Sequence, residues 1–175
     1  MPEITSVLAT DRPVLSVITA VAPGEIDAVV TERLARLRDV ARTRGLTVTG
    51  DPFGIFHGPV TDDSHGPLEI ALPVDRLAST EEEVRSHRLT GGLMARCCVE
   101  GEQACFPAVL TVYDDLHRWV VAAGGVPVGP PRETWHSAPG HPGPARLTVS
   151  WPYAPVPDAD APLPDAPVPD ARPGA

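Results

Sequence analysis

The chain has 175 residues, 42% of them hydrophobic, and a net charge of −9. That length suffices for one buried core, while the acidic balance argues against direct nucleic-acid binding, which needs clustered positive charge. No stretch approaches the roughly 20 apolar residues of a membrane span; with no basic leader and an odd count of three cysteines, a cytoplasmic protein without a disulfide framework is expected.

Residues 1–12 read as a lead-in. Residues 14–21 are apolar and β-branched, as in a buried strand. Pro23-Gly24 ends it. Over residues 25–44, Ile26, Val30, Leu34, Leu37, Val40 and Ala41 share one face, with Arg33, Arg36, Arg38 and Asp39 largely opposite. That spacing predicts an amphipathic helix, stopped by Gly45. Residues 53–57 and 68–74 read as two further strands, completing a β-α-β-β unit. Residues 75–92, with Glu81-Glu82-Glu83 and Gly91-Gly92, form a polar connection. Residues 93–99, 108–123, 132–136 and 147–153 then repeat strand, helix, strand, strand. From residue 154 the composition changes to Pro-Val-Pro-Asp-Ala repeats. Such a segment lacks the apolar mass to offset ordering entropy and is expected to be an extended, disordered tail.

The second unit is a copy of the first. A shift of 79 positions lays the run from Gly45 to His57 on the run from Gly124 to His136 without a gap. Both read G-x-x-x-x-G-x-P-x-x-x-aromatic-H. Val109, Tyr113, Leu116 and Trp119 fall on Val30, Leu34, Leu37 and Val40. The halves, about 13–74 and 92–153, are expected to pack about a pseudo-two-fold axis, with a cavity at their seam. The sharpest difference between the copies is Gly54 against Glu133.

Few patterns for chemistry are present. There is no H-E-x-x-H, no paired C-x-x-C, no G-x-S-x-G and no phosphate-cradling glycine loop, so neither a metal nor a cofactor is expected. Cys97, the mate of Ile18, reads as a small buried hydrophobe. Glu69 alternates with Leu68, Ile70 and Leu72 and is expected to face outward. Glu133 and Trp135 share strand parity, so both face one side, opposite Arg132 and Thr134. The mate of Trp135, Phe56, puts an aromatic on the corresponding face of the first copy. A carboxylate among aromatics suits a flat cation, through Coulombic pairing and cation–π attraction. The alternative is a structural Glu133 paired with Arg96 or Arg132.

Five segments in this order resemble the GyrI-like small-molecule-binding superfamily. They are Asp51-Pro52-Phe53-Gly54-Ile55-Phe56-His57-Gly58-Pro59, Glu69-Ile70-Ala71-Leu72-Pro73-Val74, Tyr113-Asp114-Asp115-Leu116-His117-Arg118-Trp119, Pro130-Pro131-Arg132-Glu133-Thr134-Trp135 and Val149-Ser150-Trp151-Pro152. The superfamily includes effector-binding domains of multidrug-responsive regulators and stand-alone proteins. The resemblance covers about residues 13–153. It implies an α+β fold of two β-α-β-β units (SHS2 modules), with a curved antiparallel sheet, two main helices and a pocket between the halves. The acidic pocket residue maps onto Glu133, and the aromatics onto Trp135, Phe56, Tyr113 and Trp119. Relatives often read His-x-Gly-x-Tyr where this chain reads Val99-Glu100-Gly101-Glu102-Gln103. With no helix-turn-helix ahead of the domain, the resemblance implies a stand-alone protein, without direct DNA contact, that binds lipophilic, often cationic aromatic drugs in antibiotic resistance. The second implied function is a hydrolase opening cyclopropane-bearing alkylating natural products, with Glu133 and Tyr113 as acid and base. A gyrase-inhibiting interaction protein is disfavoured, since the body carries only about −6 once Asp158, Asp160, Asp165, Asp170 and Arg172 are set aside.

Overall fold

Both helices form where the apolar spacing predicts them, in a computed structural model describing residues 3–61, 65–80, 83–137 and 142–156. The first, α1 (Ile26–Thr43), buries Val30, Leu34, Leu37, Val40 and Ala41. The second, α2 (Leu110–Ala122), buries Val112, Leu116 and Val120. The glycine after each helix is left-handed, Gly45 at φ 61° and Gly124 at φ 69°. A side chain there would strain the backbone, which is why the repeat keeps glycine at both helix stops.

Among the described residues the helices are joined by nine strands: β1 (Ile4–Ala9), β2 (Arg12–Val21), β3 (Phe53–Phe56), β4 (Gly66–Pro73), β5 (Arg85–Leu89), β6 (Gly92–Glu100), β7 (Gly125–Pro127), β8 (Arg132–Trp135) and β9 (Arg146–Pro155). They form one curved antiparallel sheet in the order β1-β6-β9-β8-β3-β4-β2-β5, with β7 added beside β9. The order is a palindrome under the repeat. Exchanging β1 with β5, β2 with β6, β4 with β9 and β3 with β8 reproduces it backwards. The axis passes between β3 and β8, where the repeat mates Gly54 and Glu133 oppose each other. Even the short β7 has a counterpart: its Pro127–Tyr153 pair corresponds to the single bridge Val48–Val74.

Three sequence expectations change. Residues 1–12 are more than a lead-in, because Ile4–Ala9 pair with β6. The polar connection of residues 75–92 contains β5, which pairs with β2. Both are edge strands with one neighbour, so polar and charged side chains are tolerated there and the apolar pattern is weak. Of the tail expected from residue 154, Ala154 and Pro155 belong to β9, and residues 157–175 lie outside the described residues.

The two helices pack on one face of the sheet over Leu15, Val17, Leu68, Ile70, Leu72, Ala95, Cys97, Leu147 and Val149. A second, smaller core of Val14, Phe53, Ile55 and Ala71 sits on the helix-free face.

Candidate functional site

The seam between the halves opens as a cavity of about 1110 Å³ on the helix side of the sheet. Ile26, Asp27 and Val30 at the start of α1 form one wall, and Val109, Leu110 and Tyr113 at the start of α2 the other. Phe56, Glu133, Trp135, Leu147 and Trp151 lie on the strands between them, and His57, Phe106 and Arg146 also border the cavity.

Glu133 is only 9% exposed. Its Oε1 accepts the Tyr113 hydroxyl at 2.6 Å, and its Oε2 accepts the Trp135 indole N–H at 3.4 Å. Both donors are neutral, and among the described residues Glu133 makes no ion pair. Burial raises its pKa, the Tyr113 and Trp135 hydrogen bonds oppose that rise, and the Asp27 charge adds to it. The Tyr113 phenol is pushed well above its usual range, first by burial and then by the Glu133 charge and hydrogen bond. It therefore stays protonated and donating.

The rings meet edge to face. Tyr113 stands perpendicular to Phe56 at 6.5 Å and at 76° to Trp151 at 6.4 Å. Trp151 is anchored by its N–H to the Gly129 carbonyl at 2.8 Å. The Trp135 ring lies against Gly54, where an added Cβ would come within 2.8 Å of it. The Gly54–Glu133 asymmetry thus has a geometric reason. One member of the central pair supplies the carboxylate, and the other supplies the space for the neighbouring indole.

No family model matches the chain, and no curated protein matches it in sequence. Solved structures do match in shape. The EcmrR C-terminal domain aligns with a TM-score of 0.68 at 15% identity, over 89% of this chain and 99% of that domain. EcmrR in its DNA complex aligns at 0.72 and 15% identity, over 88% of this chain, which spans only 58% of that longer protein. A hydrolase from Listeria innocua aligns at 0.68 and 12% identity, over 87% and 93% of the two chains. SAV2435, bound to tetraphenylphosphonium, aligns at 0.53 and 11% identity, over 87% and 94%.

The fold is GyrI-like.

Within this GyrI-like frame, Glu133, Trp135, Phe56 and Tyr113 meet at one cavity. Trp119 does not join them. It packs on Tyr153 at 6.1 Å, outside the cavity lining, because the buried stripe of α2 runs through Val112, Leu116 and Val120 and leaves Trp119 on the flank. Sequence reasoning missed Trp151, Asp27 and Phe106, which do line the cavity. The parity of Trp151 with Leu147 and Val149 was the available signal for its side of the sheet.

The alternative pairing of Glu133 with an arginine is not realised. Arg132 points to the opposite face of the sheet, and Arg96 Nε donates to Thr5 Oγ1 at 3.4 Å. The outward, solvated Glu69 is also corrected. Glu69 is 5% exposed and sits on the helix-free face, where it accepts from His57 Nε2 at 2.7 Å and His87 Nε2 at 2.9 Å. Burial raises its pKa, but hydrogen bonds from Ser16, His57 and His87 outweigh that and hold it below the usual carboxylate range. Ser16 Oγ meets the same His87 nitrogen at 3.1 Å, so these three groups do not form a proton relay through opposite ring nitrogens. Cys97 is buried, and burial raises its thiol pKa, as a packing residue requires. Among the described residues no group of three or more His, Cys, Asp or Glu is placed to hold a metal, and no helix is long and apolar enough to cross a membrane.

Proposed function

We propose that the cavity binds lipophilic aromatic cations, as a module that senses or sequesters them. The observation that carries this reading is a buried carboxylate, ringed by Tyr113, Trp135, Phe56 and Trp151, whose only described hydrogen-bond donors are neutral. Such a group is costly when ionised and unpaired, and a cationic ligand relieves that cost. The volume exceeds the 300–1,000 Å³ of ordinary ligand sites, in keeping with bulky, flat ligands. Tetraphenylphosphonium, found on SAV2435, is a delocalised lipophilic cation and a fitting first probe. Calorimetric titration with it tests the reading, and no saturable binding would end it.

A second reading rests on the Tyr113–Glu133 contact. A 2.6 Å bond between a phenol and a carboxyl of raised pKa is an acid–base pair within reach of a bound molecule. It supports a hydrolase acting on cyclopropane-bearing alkylating compounds, with Glu133 and Tyr113 as the reacting pair. Incubation with such a compound separates the two. A ring-opened product formed over many turnovers, and lost in Glu133→Gln, supports hydrolysis; unchanged compound at equimolar protein supports binding alone.

A further inference from the structure

We propose that the helix-free face of the sheet carries a site for a compact oxyanion, a phosphate or carboxylate group held between Arg12 and Arg132. It lies across the sheet from the cavity and does not depend on what the cavity binds.

Two arginines from different strands sit beside neighbouring residues of β3 on this face. Arg12, at the start of β2, lays its guanidinium carbon 4.4 Å above the Phe53 ring. Arg132, in β8, stands directly opposite Ile55 in β3, on the face that Ile55 shares with Phe53. Both arginines are half-buried. Among the described residues neither makes an ion pair, and Arg132 Nε is buried with no hydrogen-bond partner. Burial lowers the pKa of each. For Arg132 the charge of Arg12 lowers it further, while Glu69 opposes the shift.

Two described carboxylates on this face are hydrogen-bonded to histidines and ion-pair with neither arginine. Glu69 gives one oxygen to His57 and the other to His87. Asp51 Oδ2 is 2.7 Å from His136 Nδ1, and the other nitrogen of that ring meets Thr148 Oγ1 at 2.8 Å. Two half-buried like charges therefore lie on one patch of the sheet, Arg12 over Phe53 and Arg132 in register with Ile55, in a protein of net charge −9. An oxyanion between them would relieve their repulsion and accept from their planar forks, an arrangement that guanidinium serves better than ammonium.

Calorimetry on the full chain, with inorganic phosphate and separately with acetate against chloride at matched ionic strength, tests this. Saturable binding of either anion is expected, and the tighter of the two names the source. Arg132→Gln and Arg12→Gln are each expected to weaken it at least about tenfold. Thermal melting gives a second readout. Without the anion, Arg132→Gln should be at least as stable as the parent, because the repulsion is gone; with saturating anion, the parent should be the more stable. A merely structural Arg132 would make the variant less stable in both conditions. Should Arg132→Gln fail to fold, Arg12→Gln carries the same comparison. No saturable binding above chloride by the parent, or undiminished binding by the variants, overturns the proposal.

Discussion

Glu133→Gln separates charge from shape in the cavity. The amide keeps nearly the same volume and an oxygen to accept from Tyr113; it removes the charge and the long 3.4 Å acceptance from the Trp135 N–H. A cation about 4 Å from the carboxylate gains roughly 4 kcal/mol at an effective dielectric of about 20. Desolvating both ions offsets part of that, so a net loss of at least about 1.4 kcal/mol, a tenfold rise in Kd, is expected for tetraphenylphosphonium. A neutral aromatic of similar bulk, such as triphenylphosphine oxide, should lose much less. The same variant should gain stability without ligand. Burial raises the folded-state pKa of Glu133 above its unfolded value. The folded protein therefore binds the proton more tightly, and stability falls as pH rises through the window between the two values. Above that window the parent carries a penalty that Gln lacks, so its Tm at neutral pH should be the lower. Cation affinity should fade on acidification at a pH above that of an ordinary carboxylate. Calorimetry with both probes and melting across pH measure all of this. Equal losses for the two probes, or a variant that melts lower at neutral pH, would refute the reasoning.

Gly54→Ala places a methyl 2.8 Å from Trp135 and 2.9 Å from Leu68; a loss of roughly 1–3 kcal/mol in urea unfolding and weaker dye binding are expected. Trp119→Ala should leave the affinity for tetraphenylphosphonium unchanged while lowering stability by about 2 kcal/mol, less than the roughly 3–5 of a fully buried tryptophan. Glu69 has a depressed folded pKa, so its contribution is complete above its unfolded value of about 4.3 and is lost as pH falls through the lower folded value. The stability gap between the parent and Glu69→Gln should narrow over that acid range, and a gap independent of pH would show that the carboxylate stays uncharged. Truncation after Val156 should leave Tm unchanged; a drop of several degrees would show that the repeats of residues 157–175 pack on the body.

The architecture was legible wherever one face of an element is buried and the other is not. The stripe from Val30 to Ala41, the glycines at both helix stops and the ungapped shift from His57 to His136 all depend on that contrast, and they led to the paired units and to Glu133 at their seam. Legibility failed where the contrast fails. The β5 sequence Arg-Ser-His-Arg-Leu is polar on both faces because an edge strand needs only one neighbour. Glu69 was placed in solvent by alternation, which assigns a face and says nothing about what covers it. That face holds Val14, Phe53, Ile55 and Ala71, with Arg12 laid over the Phe53 ring. For Trp119, correspondence with the buried Val40 was misleading, since a residue of twice the size fits the flank of α2 and not the stripe beneath it.

The palindromic strand order has a consequence for how this chain can fold and be divided. Each half lends its leading strand to the other, β1 to β6 and β5 to β2. Neither half, cut out alone, would keep the partner for its own outer edge. The two are interlocked like clasped hands, so melting should proceed as one event, and nascent chains must wait for β6 before β1 finds its place. Two fragments severed near residue 80 should recover the structure only when mixed. A single unit expressed by itself would have every reason to meet a second copy and exchange strands with it, the arrangement from which a fused, two-unit chain could have begun.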